Sequence, residues 1–346
     1  MNSLVVFVIT LWLTIHMPGS EGAENDRPIV GVLAQEISSF LSRTFTDKDY
    51  DSYIAASYIK FVEGAGARAV PVFINQPRSY YENLLNSLDG VLLPGGATFF
   101  NQSNGYADAA AHIYQIASEI NDNGTYFPLW GTCLGFEVLL YVSNNNSEYR
   151  VDCASSSQSL PLEFTAGYET SRLFKNAPAN VINILKNEDV TPNFHMYCAT
   201  VDGLANSGLN NSWKVLSVNH DWNGLEFIST IEHVKYPFYA VQFHPEKNLY
   251  EFVKKKNISH SADAVTYAQY FADFFISEAR KSTNNFPNDT VENDMLIYNY
   301  APEFTSKLGS SFEQCYLFAN NGSQIFTLSA KLTLLLTCIL VLFHRP

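Results

Sequence analysis

Cys133 is the residue whose surroundings most clearly invite chemistry. It lies in Pro128-Leu129-Trp130-Gly131-Thr132-Cys133-Leu134-Gly135-Phe136-Glu137, with a glycine two residues away on each side. This is the cysteine counterpart of the G-x-S-x-G corner, in which a nucleophile stands on a strained turn between a strand and a helix. Glycines at these positions let strand and helix approach closely, because neither has a Cβ to clash. A helix beginning near Leu134 would set its free N–H groups and partial positive charge beside the sulfur and favour thiolate. The Leu134 N–H would then be placed to hold the oxyanion of an attacked carbonyl. Without further support, Cys133 could equally be a buried structural thiol.

A thiol nucleophile needs a base that later returns the proton to a leaving nitrogen. His244 is the leading candidate among eight histidines. It ends an apolar run from Phe238, and Glu246 follows two residues later. At strand spacing those two side chains share a face, so Glu246 would orient the imidazole. The bland alternative is an exposed His-Pro-Glu loop. His195, flanked by Phe194 and Tyr197, reads by spacing as a packed histidine.

The elements that must position these residues alternate between strands and helices. Pro28–Leu33, Ala69–Ile74 and Gly90–Leu93 read as strands, and Pro71 suggests an edge-ward place for the second. Tyr126–Trp130 reads as the strand leading into the corner. Tyr53–Gly64, Tyr80–Leu88 and Ala107–Asn121 carry apolar residues at helical spacing. Such alternation predicts βαβ units and a parallel sheet, with ligands bound outside the carboxyl ends of the strands. Pro94-Gly95-Gly96 and Cys133 both fall at such ends, so they should share a rim. A Gly95 or Gly96 N–H is a candidate second oxyanion donor. Gln35–Asp49 reads as a polar loop and Val151–Asn211 as strands and loops. Trp213–Val218 and Leu225–Glu232 read as a hairpin, Ala264–Lys281 as a long helix and Ser282–Asp294 as a polar linker.

The chain has 346 residues, 47% of them hydrophobic, and a formal charge of −13. That balance predicts a sizeable core and argues against nucleic acid, which needs a basic footprint. Leu4–Ile15 followed by Pro18-Gly19-Ser20 reads as a secretory signal over residues 1–22, although no Lys or Arg precedes it. Asn101, Asn123, Asn145, Asn210, Asn257, Asn288 and Asn321 lie in N-x-S/T sequons, as in an exported glycoprotein. Five cysteines are too scattered for a zinc site or a disulfide framework. Setting aside Cys133 and the terminal Cys338, at most one bridge can form among Cys153, Cys198 and Cys315.

Further segments carry a resemblance. Ser52–Tyr58, Gly64–Arg68, Leu93–Gly96, Trp130–Glu137, Asn193-Phe194-His195, Glu226–Thr230, Gln242–Lys247 and Gln314-Cys315-Tyr316 together resemble the γ-glutamyl hydrolases of the class I glutamine amidotransferase-like superfamily. The resemblance implies an α/β fold with a doubly wound, mostly parallel, flavodoxin-like sheet flanked by helices, in a catalytic domain over residues 27–318. It implies a thiol hydrolase that removes γ-linked glutamates from folyl- and antifolyl-polyglutamates in lysosomes or after secretion. By motif, Cys133 is the nucleophile, His244 the proton donor and Glu246 a supporting carboxylate. Gly95, Gly96, Leu134, Glu137, His195 and Gln242 fall on the substrate side. No cofactor or metal is expected. The expected partners are a small-molecule substrate and a second copy of the chain in a homodimer.

A polyanionic substrate requires local cations on an acidic protein, and Arg43, Lys60, Arg68 and Arg172 are candidates. Residues 319–346 extend past the family-like region. Asn320–Ser323, a polar spacer and the apolar run Leu332–Phe343 fit a glycolipid-anchor signal; the run is short of the roughly 20 residues a spanning helix needs. The rival functions are an amidotransferase glutaminase, for which no synthetase-like segment exists here, and a non-catalytic secreted binding protein.

Overall fold

The computed structural model describes residues 25–46, 49–254 and 256–319. The signal-like start and the anchor-like tail, including Asn321 and Cys338, lie outside these residues. Among the described residues no helix is long and apolar enough to cross a membrane.

Eight strands form the central sheet, in the order Arg68–Val72, Ile29–Leu33, Gly90–Leu93, Leu129–Thr132, Phe238–Val241, Glu226–His233, Trp213–His220, Glu163–Phe164. The first five are parallel. Numbered by chain position they run 2-1-3-4-5, the flavodoxin-like order. The last three strands extend the sheet in antiparallel fashion. The expected parallel sheet and hairpin are therefore present, and the proline-bearing strand is at the edge, where Pro71 withholds no ladder bond from a second neighbour.

The parallel strands are buried along their whole length. They are near-continuous apolar runs, as a sheet covered on both faces requires. The helix Ala262–Ala279 covers one face. Ser261 caps it, accepting from the Ala264 N–H, and Asp263 lies in its first turn, an arrangement suited to the helix dipole. Its Phe271 and Phe275 pack on Trp130 at centroid distances of 5.9 and 5.8 Å. Truncating either ring would cost about 3–5 kcal/mol, so this helix fixes the strand that precedes Cys133.

Several expected boundaries shift for physical reasons. Tyr50–Ala55 is a strand, and the helix starts only at Ala56. Tyr53 and Ile54 pair with Leu317 and Tyr316 of the last described strand, so tertiary pairing overrides helical spacing. The strand into the corner is Leu129–Thr132, not Tyr126–Trp130, because the Phe127 N–H is taken by Asn121 Oδ1. The Phe238 strand stops at Val241. The supposed loop after Gln35 holds a short strand and the helix Ser39–Thr44. The supposed linker holds the helix Asp289–Met295. Val151–Asn211 contains helices Ala179–Asn187 and Val201–Asn206, the edge strand Glu163–Phe164 of the central sheet, and two further strands.

Those two strands, Val151–Leu160 and Thr191–Cys198, form a separate antiparallel pair. The Cys153–Cys198 disulfide joins them, the single bridge that counting allowed. The His244 N–H donates to Pro192 O at 3.0 Å, so this pair is docked on the carboxyl edge of the central sheet.

Candidate active site

Gly95, Cys133 and His244 each follow the end of one of three adjacent parallel strands. Neighbouring strand ends bring residues distant in the chain to one rim. A methyl group placed on Gly95 would come 2.7 Å from His244 Cε1 and 3.1 Å from Cys133 Cβ. The sulfur-bearing residue and the imidazole therefore flank a single point above the sheet.

Cys133 has φ 52° and ψ −106° and is the N-cap of the helix Leu134–Ser143. Positive φ is sparsely populated for a residue with a Cβ and costs on the order of 1–3 kcal/mol. The flanking glycines make the corner sterically feasible. A Cβ on Gly135 would lie 2.0 Å from Leu93 O, and one on Gly131 would lie 2.6 Å from Gly135 O. The Cys133 N–H donates to Val241 O at 2.8 Å, which ties the corner to the strand that leads to His244.

His244 Nδ1 lies 2.7 Å from Glu246 Oε1. Glu246 is an acceptor held below the usual carboxylate range, since His244 and Lys247 together outweigh its burial. The proton therefore sits on Nδ1 and leaves Nε2 as the basic nitrogen. The contact is made across the first turn of the helix Pro245–Tyr250, not along a strand as the spacing suggested.

Electrostatics set the resting protonation. Burial pushes the Cys133 thiol well above its usual pKa and the Glu137 carboxylate adds to this; Lys247 and the Leu134 N–H pull the other way. Burial likewise lowers the His244 pKa against the attraction of Glu246. Both directions favour a thiol and a neutral imidazole over the ion pair that the helix N-terminus was expected to promote.

Tyr58 escaped the sequence reading as a site residue. Its hydroxyl accepts the Gly95 N–H at 2.9 Å and lies 3.3 Å from His244 Nδ1. Gly95 thus spends its donor on Tyr58 in the free protein. Beside it, Gln35 Nε2 donates to Gly95 O at 2.8 Å, and Gln35 Oε1 fills the space that a side chain on Gly96 would need.

Glu137 is buried and holds two partners. Arg150 Nη1 donates to Oε2 at 2.8 Å and Gln242 Nε2 donates to Oε1 at 3.1 Å. Gln242 is fully buried and its Oε1 has no partner. The Arg150 guanidinium stacks on Phe100, 3.9 Å from the ring centroid, with Tyr197 at 4.9 Å. Arg150 also pairs with its near neighbour Glu148 at 2.7 Å, but its links to Glu137, Phe100 and Tyr197 come from three separate segments and leave no sequence signal.

His195 sits in the two-stranded pair with Nδ1 3.0 Å from Tyr197 O and Nε2 3.1 Å from Asn193 Oδ1, of which a neutral ring donates to only one. Burial lowers its pKa to about 3. It is packed and neutral, as its spacing suggested.

The cations that reach this rim are Lys247, Lys256 and Arg150. They replace the four guessed from sequence. Arg68 opens a parallel strand, hence stands at the opposite rim, and pairs with Glu292. Lys60 donates to Gln314 Oε1, and Arg172 lies 3.9 Å from Glu232. Arg43 is exposed in the helix Ser39–Thr44. The six described sequon asparagines, Asn101, Asn123, Asn145, Asn210, Asn257 and Asn288, are all exposed.

Residues 28–246 match the Peptidase C26 family. The chain is 43% identical over 304 residues to the γ-glutamyl hydrolase of Rattus norvegicus, covering 87% of this chain and 93% of that protein. It is 40% identical over 308 residues to the γ-glutamyl hydrolase of Homo sapiens, covering 88% and 94%. It is 36% identical over 329 residues to γ-glutamyl hydrolase B of Dictyostelium discoideum, covering 93% of each. Among solved structures, a GMP synthase protein of Thermoplasma acidophilum aligns with a TM-score of 0.42 at 13% identity, over 73% of this chain and 94% of that one. With a matching family model across most of the described core and relatives of this identity over nearly their full length, the chain belongs to the γ-glutamyl hydrolases of the Peptidase C26 family.

Proposed function

We propose that this protein is a cysteine hydrolase that cleaves the γ-glutamyl amide bonds of folyl- and antifolyl-poly-γ-glutamates. The observation that carries the reading is the meeting of Cys133, in its positive-φ corner, with the His244–Glu246 pair across Gly95.

In this cycle His244 Nε2 takes the Cys133 proton as sulfur attacks the γ-carbonyl carbon. Starting from a neutral pair suits this, because no buried charge separation precedes substrate. The oxygen gains negative charge and is held by the Leu134 N–H and by a glycine N–H of Gly95 or Gly96. In the free protein the Tyr58 hydroxyl occupies the Gly95 N–H, so the oxyanion must take that donor from Tyr58 or use Gly96. His244 then protonates the departing nitrogen, the C–N bond breaks, and a γ-glutamyl thioester remains on Cys133. Water adds to the thioester with His244 as base, and the thiol is restored as the acid leaves. Glu246 stabilises the imidazolium formed in both halves. Gln242 Oε1, buried and unpartnered, suits an N–H donor of the bound glutamyl group. Export, glycosylation at the exposed sequons, lysosomal or extracellular work and a homodimer accompany this reading as expectations.

The test is incubation with a folate pentaglutamate and chromatographic identification of the products. Shortened polyglutamates and free or γ-linked glutamate are expected. Cys133→Ala should fold and release nothing, and iodoacetamide should label Cys133 as activity falls. Full cleavage by Cys133→Ala would end the proposal.

A further inference from the structure

We propose that Lys247 and Lys256 form an anion subsite beside His244 that takes a carboxylate of the poly-γ-glutamate chain beyond the glutamyl unit being cleaved. The proposal rests on the substrate reading above and names a part of that site.

Two ammonium groups converge on one ring. Lys247 Nζ lies 5.7 Å and Lys256 Nζ 5.0 Å from the centroid of Phe194. That ring in turn leans on the His244 imidazole, with centroids 5.9 Å apart. The Lys247 side chain is buried, and Lys256 is half-buried. Like charges at such a place repel, and the repulsion acts through a partly desolvated medium where screening is weak. Burial and then Lys247 lower the Lys256 pKa, and burial, with both cations in support, lowers that of His244.

Among the described residues neither cation makes a close ion pair of its own, although the buried Glu251 carboxylate also feels Lys247. Lys247 stands 4.0 Å from Glu246 Oε1, an oxygen already committed to His244 at 2.7 Å. Lys256 forms no ion pair among the described residues. Its position is nonetheless set. The Lys256 N–H donates to Val253 O at 3.0 Å, and the next residue's carbonyl, Asn257 O, accepts from Ser159 Oγ at 3.1 Å, which ties this turn to the two-stranded pair.

Each γ-linked glutamate carries a free α-carboxylate, so the substrate presents an anion at every residue. On a chain of charge −13, a local excess of cations is what offsets the field that would repel such a ligand. A carboxylate between Lys247 and Lys256 would relieve their repulsion and lie beside the proton-transferring imidazole without entering the reaction. The subsite therefore selects for substrate length and acts on KM.

The test uses the full chain carrying Cys133→Ala, which binds without cleaving, titrated calorimetrically with a folate pentaglutamate. Adding Lys256→Gln should weaken binding about tenfold at low salt, the size expected for one charge-assisted contact. Lys256→Glu should weaken it further, and 0.5 M salt should erase the difference, a concentration set by the order of the screening length. In the cleaving protein, Lys256→Gln should raise KM for the pentaglutamate about tenfold and KM for a γ-glutamyl anilide, which carries no carboxylate beyond the cleaved unit, far less. Unchanged affinity for the pentaglutamate, or an equal loss for the anilide, overturns the subsite. Failure of the hydrolase reading would show differently, as no cleavage of either compound by the unaltered protein, and the titration does not depend on that outcome.

Discussion

His244 Nδ1 and Glu246 Oε1 are 2.7 Å apart, buried together at the first turn of a helix. The pair defines which nitrogen of His244 is basic. Glu246→Gln keeps an acceptor for the Nδ1 proton and removes only the charge. Glu246→Leu removes both. Because Glu246 raises the His244 pKa against burial, its neutralisation lowers that pKa further. The acid limb of kcat/KM should move to lower pH in Glu246→Gln, with kcat reduced. Glu246→Leu should lose on the order of 100-fold in kcat, a typical share for positioned acid–base catalysis. A pH–rate series on the three proteins checks this. An unmoved acid limb would show that His244 is not the titrating base.

The strain at Cys133 can be measured apart from its chemistry. Cys133→Ala and Cys133→Gly both lack the thiol, but only glycine adopts φ 52° without steric cost. Relief of roughly 1–3 kcal/mol of strain competes with about 0.5–1 kcal/mol of extra chain entropy lost on folding. Cys133→Gly should therefore be the more stable of the two by about 1 kcal/mol, and both should be inactive. Urea denaturation of the pair decides it. Equal stability would mean that the corner is relaxed.

How much of this was legible beforehand follows from how local each cause is. Gly131 and Gly135 announce the corner because the clash they avoid lies within one strand–helix turn. The parallel sheet is legible because buried strands are apolar throughout. Tyr58 is not, since its partners Gly95 and His244 lie 37 and 186 residues away, and a tyrosine at helical spacing reads as core. The strand at Tyr50–Ala55 is hidden for the same reason: what pairs with it is the segment Gln314–Ala319. The geometry linking His244 to Glu246 was anticipated in outcome but on the wrong backbone, because Pro245 starts a helix just where an extended run seemed to continue.

Arg150 offers a test of the pocket wall. Its ion pair with Glu137 is nearly buried, with side-chain exposures of 11% and 4%. Removing one partner leaves an uncompensated buried charge, which costs more than the intact pair contributes. Arg150→Met should lose about 3 kcal/mol of stability. Glu137→Gln combined with Arg150→Met should recover part of this, since no lone carboxylate remains. Arg150→Lys should fall between, because an ammonium cannot stack flat between Phe100 and Tyr197. Denaturant midpoints of these proteins and of Glu137→Gln alone check the order; additive losses would show that the two residues are independent.

His233 governs a separate acid sensitivity. Its Nδ1 accepts the Lys235 N–H at 3.0 Å and the Tyr236 N–H at 2.9 Å, so protonation there would break both bonds. Burial, with Arg172 and Lys235 nearby, lowers its pKa to about 4, against about 6.5 in an unfolded chain. Between these values the unfolded state binds the extra proton, so stability is full above about 6.5 and falls as pH drops toward about 4. Asp89, raised to about 6 by burial, acts in the opposite direction, but equally in any His233 variant. His233→Asn keeps an acceptor near the two N–H groups and cannot titrate. The drop in Tm from pH 7 to pH 4.5 should be smaller in His233→Asn by on the order of 5 °C, the equivalent of about 2 kcal/mol in a chain of this size. A parallel pair of Tm–pH curves would show instead that this imidazole charges without disturbing the fold, and that the two backbone bonds are not what holds it neutral.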